Sequence, residues 1–434
     1  MTQSTSLRAL LAKDRNFRWL LGGAIVSAMG DQFSLIALPW LVLQVSGDTL
    51  ALGVVLATMS IPRALFVLLG GALVDRHSAR RVLLIAQGAN MLLLFGLAGL
   101  VLSGMLQLWM IYVFALGIGV STAFSIPSGS AIVPQVVAAA DLPVANRAMM
   151  GVMQLSLFVG PSLAGVLIAL FSDGASGSAG QTRGIGLAFL FDGASFALSV
   201  LALTRLAMEA RSGGRPPQRA SMIQTIAEGV RYVVRDGKLA TSFVYGSAIA
   251  FCASGPIQVA MPVLAGQLTQ GASAFGILVG AFGAGSILGT IVSGARPDFR
   301  AGNVGRTMLL IDFIIGALFM GFGQINALWQ GAAILLGCGT LFGYLQSIVY
   351  NWTQQRVQPQ MLGRVMSVIM FMMMVITPLS TAVSGALLRS VAPGTLFAAS
   401  GALVIVIVLI AMLATSMPTL SDLSAEPPAG EPQA

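Results

Sequence analysis

The sequence predicts an all-α membrane protein with twelve transmembrane helices in two six-helix halves and both termini in the cytoplasm. Of its 434 residues, 56% are hydrophobic and only 9% are charged, and the mean hydropathy is +0.88. Soluble domains carry about 25% charged residues, so this composition is typical of an integral membrane protein. The apolar stretches are near the roughly 20 residues that a helix needs to cross a bilayer. They lack the two-residue alternation of a membrane β-barrel, which favours helices.

Twelve apolar stretches are long enough to cross the membrane. The first lacks the small-residue cleavage site of a signal peptide, so we expect it to remain in the protein as a helix. The predicted spans are residues 19–44, 49–72, 81–102, 107–133, 144–171, 185–207, 240–265, 272–295, 306–323, 327–351, 364–390 and 394–416.

The basic residues are divided unevenly between the two sides of the predicted bundle. Of the 23 lysines and arginines, twenty fall on the side of the termini, whereas Arg183 and Arg389 fall on the other side and Arg63 lies within the second span. Loops rich in Lys and Arg stay in the cytoplasm, which predicts cytoplasmic termini. The net charge of +8 therefore orients the protein and does not indicate a nucleic-acid partner.

One long polar connection divides six spans from six. Residues 1–207 are predicted to form the N-terminal half and residues 240–416 the C-terminal half, followed by a disordered tail at 417–434. The connection, 208–239, is a cytoplasmic linker whose part SMIQTIAEGVRYVVRD has the spacing of an amphipathic helix at the membrane surface. The halves echo one another in sequence, and such a parallel repeat places the substrate site between them.

The connection between the second and third spans carries a motif with a glycine, an acid and several arginines. Its members are Gly71, Asp75, Arg76, Arg80 and Arg81. It resembles the G-x-L-x-D-R-x-G-R-K signature of the major facilitator superfamily of secondary transporters, from which Ser78 and Ala79 depart. The resemblance implies a cytoplasmic latch of ion pairs that break and re-form. The alternative is that these arginines only determine topology.

The fifth span carries a second motif, in the sequence GVMQLSLFVGPSLAG. It resembles the G-(x)8-G-P-x-x-G-G motif of antiporters in the same superfamily, with Ala164 as the one departure. Its members are Gly151, Gly160, Pro161, Ala164 and Gly165. Pro161 removes the hydrogen bond to the Leu157 carbonyl and is expected to bend the helix.

Small residues four apart suggest how the fifth span packs. Ser156, Gly160 and Ala164 form a face without bulk that permits close helix contact. The eighth span offers a matching face, with Gly276, Gly280 and Ala284. The superfamily fold pairs these two helices between the halves, where they are expected to slide during transport. The alternative is generic packing of small residues, which is common in membrane bundles.

Ionisable residues at membrane depth are functional candidates. Asp31, near the centre of the first span, is the candidate for proton exchange, and a structural carboxyl is the alternative. Arg63 is a candidate partner of Asp31 or a gate residue, with snorkelling to the interface as the alternative. Asp192 and Asp312 lie on the sixth and ninth spans, which are peripheral in the superfamily fold, and are predicted to be structural acids.

Polar side chains on the first, seventh and tenth spans complete the candidate cavity. They are Gln32, Gln258, Gln346 and Asn351. No phosphate-binding loop, metal motif or catalytic serine motif occurs in the sequence, so we expect no ATP, metal, cofactor or enzymatic activity. Transport is then driven by an ion gradient, for which the proton gradient is the expected source.

The function predicted from the sequence is proton-coupled antiport of a small amphipathic compound by alternating access. The motifs resemble the efflux branch of the superfamily, which contains macrolide, multidrug and siderophore exporters. The alternatives are proton symport or facilitated uptake of a metabolite, and a receptor or scaffold that does not transport. The protein is expected to be a monomer in the inner membrane of a bacterium, with lipids and a small-molecule substrate as its partners.

Overall fold

A computed structural model describes residues 6–171, 178–207, 222–268, 271–296 and 299–420. In this part of the chain twelve helices are long and apolar enough to cross a membrane, which confirms the predicted all-α membrane fold with twelve spans. The spans, numbered 1 to 12, are Arg15–Ser46, Thr49–Arg76, Ala79–Leu102, Leu108–Val136, Leu142–Leu170, Ser178–Thr204, Gly237–Gln267, Gly271–Ala295, Val304–Phe322, Leu328–Arg356, Pro359–Leu387 and Pro393–Ala414.

Short caps set the ends of the spans. The turn between spans 1 and 2 has only two residues: Gly47 takes the left-handed conformation (φ 63°), and the Asp48 side chain accepts a hydrogen bond from the Leu50 amide. A residue with φ above zero favours glycine because it has no Cβ. We call the side of the bundle that holds this turn the opposite face. The other side, where span 1 begins at Arg15 and span 12 ends at Ala414, is the basic face.

Span 7 is the one irregular crossing among the described helices. Residues Pro256–Ala260 form a π-helical segment between helical parts Gly237–Gly255 and Met261–Gln267. The Gly255 amide donates to Ser380 Oγ of span 11 at 2.8 Å, and Ser380 in turn donates to the Phe251 carbonyl. The serine thus satisfies backbone groups where the helix widens, which π-bulges in membrane helices require.

Hydrogen bonds on the basic face hold the ends of spans 1, 3 and 6 together. The Asn16 amide group donates to the Ala207 carbonyl at 2.9 Å and accepts from the Ala207 amide at 3.0 Å. Arg80, at the start of span 3, donates to the carbonyls of Leu203 and Thr204 at 2.9 and 2.8 Å. Arginine at a helix C-terminus satisfies carbonyls that have no partner within the helix.

An amphipathic helix, Met222–Arg235, packs against the C-terminal half at the basic face. Gly229 lies against the Arg364 backbone of span 11 and Val233 is buried, whereas Val230 and Val234 are exposed. Span 11 therefore covers part of the apolar face, and the remainder is left for the membrane surface. The rest of the predicted linker, 208–221, lies outside the described residues.

The C-terminal half remains packed beyond span 12. Met417 and Leu420 are buried, the Gly305 amide donates to the Leu420 carbonyl at 3.1 Å, and Asn303 Nδ2 donates to the Pro418 carbonyl at 2.7 Å. Residues 417–420, which the sequence assigns to the tail, thus pack on the start of span 9. The remainder of the predicted tail, 421–434, lies outside the described residues.

Two ion pairs on the basic face differ in burial. Asp236 accepts from Arg356 Nε and Nη2 at 2.7 and 2.9 Å, and the pair is 17% and 27% exposed at Arg356 and Asp236. Burial alone would raise the pKa of Asp236, but the Arg356 hydrogen bond and the amides of Leu239 and Lys238 hold it below its usual value. The second pair, Arg364 with Glu228 at 3.0 Å, is 37% and 43% exposed.

Loss of the less exposed pair, Asp236–Arg356, is expected to weaken the fold more than loss of the more exposed pair, Glu228–Arg364. We predict that Arg356→Gln lowers the stability of the C-terminal half by about 1 kcal/mol or more and that the matched Arg364→Gln has little effect. Both cysteines, Cys252 and Cys338, are buried, so thiol-reactive dye uptake on heating reports unfolding. Equal melting temperatures for the two variants would contradict the prediction.

Candidate substrate pathway between the halves

Spans 2 and 11 close the opposite face at a contact between two glycines. A Cβ on Gly53 would lie 2.8 Å from the Thr381 carbonyl oxygen and 3.2 Å from the Gly385 Cα. Thr49 Oγ1 donates to the Gly385 carbonyl at 3.2 Å. Real Cβ atoms do not approach backbone this closely, so the absence of side chains lets the two halves meet here.

An ion pair joins the halves above this contact. Arg389, just beyond span 11, donates through Nε to Asp48 Oδ1 at 3.0 Å and through Nη2 to Asp48 Oδ2. The side chains are 55% and 33% exposed. The hydrogen bond from Arg389 holds the pKa of Asp48 below its usual value, and the same bond raises the pKa of Arg389. Sequence reasoning missed this pair, although Arg389 is one of only two basic residues assigned to that side.

Spans 5 and 8 form the second contact between the halves. Gly165 lies against Ala272, Ser273 and Gly276, since a Cβ there would be 3.0 Å from the Ala272 carbonyl oxygen. A Cβ on Gly276 would lie 2.9 Å from the Gly165 Cα and would collide with the Pro161 carbonyl. The two backbones are therefore in direct contact over the half of each span that is nearer to the opposite face.

Further along, the contact passes through different residues from those that the sequence indicates. Gly280 faces Ser162 and Phe158, and Gly283, rather than Ala284, lies against Leu157. Gly160 instead faces the side chain of Gln32 on span 1, and Ser156 and Ala164 are buried on that side of the helix. The small face at Ser156, Gly160 and Ala164 thus packs within the N-terminal half. The contact with span 8 lies on the adjacent side of span 5, rotated from that face by about one residue.

Toward the basic face the two halves separate. Met150 and Leu155 of span 5 are 66% and 56% exposed, and Ile291 of span 8 is 59% exposed. Gly151 and Gly294 face open space, with no atom within 4 Å of a Cβ built on either. Leu65 of span 2 and Met370 of span 11 are also exposed in this part of the bundle. The pathway is therefore closed at the opposite face and open at the basic face.

Asp31 lies at the inner end of this opening, in the middle of span 1. Asp31 and Leu35, one turn later on the same stripe, are exposed. Leu38 and Val42 continue the stripe toward the opposite face and are buried, at 5% and 0% exposure. The carboxyl group is thus accessible at membrane depth from the side of the basic face, below the closed contact. Such a group is a candidate for binding a proton or a substrate.

Asp192 of span 6 lies behind Asp31, on the far side of span 1. It is 1% exposed and accepts hydrogen bonds from Ser34 Oγ and, at 3.3 Å, from Ser195 Oγ. Its Oδ1 would lie 2.5 Å from a Cβ on Gly30, so it packs directly on the backbone beside Asp31. The two carboxyl groups are close enough to interact electrostatically. Sequence reasoning placed both acids in the membrane but did not pair them.

Arg63 and Asp312 are the remaining charged candidates within the spans. Arg63 is half-buried on span 2 and makes no hydrogen bond or ion pair with the described residues, so it does not contact Asp31. Asp312 of span 9 is 3% exposed and accepts a hydrogen bond from Tyr245 Oη of span 7 at 2.6 Å. This bond ties two spans of the C-terminal half together.

The other polar candidates differ in their surroundings. Gln32 is half-buried and its Oε1 is buried without a hydrogen-bond partner among the described residues. Gln258 is half-buried within the π-helical segment of span 7. Gln346 and Asn351, both on span 10, are exposed. Of these four, Gln32 is the one that directly follows Asp31 and contacts the motif of span 5.

The predicted latch between spans 2 and 3 is described only in part. Gly71 and the side chains of Asp75 and Arg76 are outside the described contacts, although all three residues belong to the helix of span 2. Arg80 is bound to the end of span 6, and Arg81 is exposed. In this conformation, open at the basic face, Arg80 therefore stabilises the N-terminal half and does not join the two halves.

The sequence profile described as the transmembrane secretion effector family matches residues 6–433 of the chain. The chain belongs to this family of the major facilitator superfamily. It is therefore a multi-pass transporter of the inner membrane and not an enzyme, as the sequence predicts.

The relatives that the chain is similar to include two kinds of exporter. The chain is 26% identical over 430 residues to the multidrug efflux pump Tap of Mycobacterium tuberculosis, covering 94% of this chain and 95% of that one. It is 26% identical over 306 residues to the enterobactin exporter EntS of Salmonella typhi, covering 68% and 67%. These relatives confirm the predicted efflux branch.

Solved structures confirm the fold. A point mutant of the nucleoside transporter NupG matches with a TM-score of 0.74 at 12% identity, over 92% of this chain and 99% of that one. A bacterial homologue of the iron transporter ferroportin in its inward-facing state matches with a TM-score of 0.66 at 15% identity, over 91% and 98%.

The ion pair at the opposite face predicts how labelling of this protein responds to pH. Because the pKa of Asp48 is lowered, the pair is complete above the usual carboxyl value and is lost only as the pH falls through the lowered one, below about 4. We expect Asp48→Asn to increase labelling of Val42→Cys from the opposite face by a constant ratio between about pH 8 and pH 5. A ratio that falls steadily over this range would contradict the prediction.

Proposed function

We propose that the protein exports a small amphipathic compound in exchange for protons by alternating access. The observation that carries the proposal is Asp31, an exposed carboxyl group in the middle of span 1, reachable from the basic face and closed off from the opposite face. The excess of Lys and Arg on the basic face favours its location in the cytoplasm. This conformation is then the inward-open one.

In the inward-open state the cycle begins with exchange at Asp31. The carboxyl group releases its proton to the cytoplasm, where the proton concentration is lower, and the compound binds from the same side. The closed contacts Gly53–Gly385 and Gly165–Gly276 then separate, together with the Asp48–Arg389 pair. Outward opening releases the compound and admits a proton to Asp31, and the protonated carrier returns.

Spans 5 and 8 can also form the contact that closes the basic face. In the contact near the opposite face, residues farther along one span meet residues earlier on the other, as Gly165 meets Gly276 and Leu157 meets Gly283. If the same register continues toward the basic face, Gly151 would lie opposite Ile287 and Ile291. Gly294 would then lie opposite Arg147. The open space in front of both glycines supports close contact there when the basic face shuts.

Transport in proteoliposomes tests the proposal. The purified chain is reconstituted with a pH-sensitive dye inside, and enterobactin, erythromycin or ethidium is added as the probe. Export predicts that a proton gradient drives the probe against the direction of proton flow, from the side of the basic face. Movement of probe and protons in the same direction would favour symport, and probe movement without protons would favour facilitation. Either result would contradict antiport.

A further inference from the structure

A groove separates spans 1 and 5 in the part of the bundle near the basic face. Its volume is about 690 Å³, within the range of roughly 300–1,000 Å³ for pockets that hold small molecules. Its walls are apolar, with Leu21, Ile25 and Met29 on span 1 and Ala148, Val152 and Leu155 on span 5. Ser6 and Leu7, at the start of a short helix (Leu7–Lys13) that precedes span 1, border it on the side of the membrane surface.

The sequence of span 5 explains why the groove is there. The two spans touch where Gln32 fills the space in front of Gly160, next to Pro161. From that point toward the basic face Gly151 has no side chain and faces open space. The part of span 5 from Arg147 to Ser156 lines the groove over about 14 Å, at 1.5 Å per residue. On span 1 the lining of the groove ends at Met29, two residues before Asp31.

Arg147 provides the charge of the groove. It is exposed and lines the groove, and its Nε donates to the Pro143 carbonyl at 3.2 Å, which holds the guanidinium at the start of span 5. It forms no ion pair with a carboxylate in the described part of the chain. An apolar channel about 14 Å long with an arginine at its surface end is complementary to a molecule with an apolar body and an acidic head.

We propose that this groove binds an amphipathic anion, with its acidic head on Arg147 and its apolar body between Ile25, Met29 and Leu155. The anion has two sources, an anionic phospholipid of the surrounding bilayer or an anionic cargo. Binding requires no step of the transport cycle. A test of binding without a proton gradient therefore fails or succeeds independently of proton-coupled export.

Fluorescence titration with dansyl-undecanoic acid tests the site, using the full chain in phosphatidylcholine nanodiscs. We expect a saturable increase in dansyl emission. Arg147→Gln should weaken binding of the acid about 5-fold, as the loss of a partly exposed ion pair predicts, without changing binding of the uncharged methyl ester. Gly151→Phe should abolish binding of both, because Gly151 lines the groove and a Cβ built there meets no protein atom within 4 Å.

Two control variants match these changes elsewhere. Arg231→Gln removes an exposed charge from the amphipathic helix, and Gly88→Phe adds a ring at a glycine of span 3 that also faces open space. Both should bind the acid as the parent does. Equal affinity for acid and ester together with an inert Arg147→Gln would overturn the anion site, and binding that survives Gly151→Phe would overturn the groove.

Competition distinguishes the two sources. If phosphatidylglycerol in the nanodisc displaces the probe from the parent but not from residual binding in Arg147→Gln, the occupant is a lipid. If the probe remains bound in phosphatidylglycerol and is transported in proteoliposomes, the occupant is a cargo. Both results support an amphipathic anion on Arg147. Displacement that is equal in the parent and in Arg147→Gln would count against it.

Discussion

Replacement of Gly276 by leucine is expected to abolish transport and to leave the opposite face open. A Cβ at this position meets the Pro161 carbonyl and the Gly165 Cα, which are backbone atoms that cannot rotate away. Forcing a side chain into such a contact is unfavourable by about 1–3 kcal/mol or more. This penalty destabilises only the state in which the opposite face is closed. It therefore shifts the equilibrium between the closed and open states of that face by roughly 5- to 150-fold.

Labelling of Val42→Cys measures this shift. Val42 is fully buried beneath the closed contact, so a membrane-impermeant maleimide added at the opposite face labels it only when that face opens. We expect strong labelling with Gly276→Leu, intermediate labelling with Gly276→Ala and little with Gly294→Leu. Gly294 lies on the same helix but faces open space, so its substitution leaves the closed contact intact. Labelling that is as low in Gly276→Leu as in the parent would sink the prediction.

The fold could be predicted from the sequence because bilayer thickness and apolar length decide it almost alone. The side of each helix that contacts a given neighbour could not be predicted in this way. Span 5 has small residues on two adjacent sides, at Ser156, Gly160 and Ala164 and at Ser162 and Gly165. Composition favours close packing on either side, and only the tertiary arrangement assigns the first to Gln32 of span 1 and the second to span 8.

The contacts that close the opposite face could not be predicted from the sequence for a different reason. Asp48 and Arg389 are 341 residues apart, and each on its own looks like an ordinary residue at a helix end. Gly53 and Gly385 likewise belong to no motif that the sequence reveals. Contacts between the halves depend on how two separately folded bundles meet, and hydrophobic periodicity within one span carries no information about that. In contrast, Asp31 was predicted as a candidate because a charge at membrane depth is informative by itself.

Replacement of Asp31 by asparagine is expected to reduce proton-driven transport to the level of protein-free liposomes while exchange of the compound across the membrane continues. Asparagine keeps the size and polarity of the side chain but takes up no proton at working pH. Internal pH and probe movement are recorded in the same proteoliposomes. Glu228→Gln is the matched control, since it neutralises an acid outside the membrane-spanning helices, in the exposed pair with Arg364, and should retain coupling.

The Asp192→Asn variant distinguishes the roles of Asp31 and Asp192, the two acids that lie close together at span 1. Asp192 is buried behind Gly30 and is held by Ser34 and Ser195, so it is less accessible to protons from the basic face than the exposed Asp31. We therefore expect Asp192→Asn to alter the pH dependence of coupling, through the lost interaction with Asp31, without removing coupling itself. If Asp31→Asn transports protons normally and Asp192→Asn does not, the coupling site is the buried acid, and the exposed one serves the compound instead. Exposure from the basic face favours Asp31, because a coupling group must exchange its proton with one side at a time.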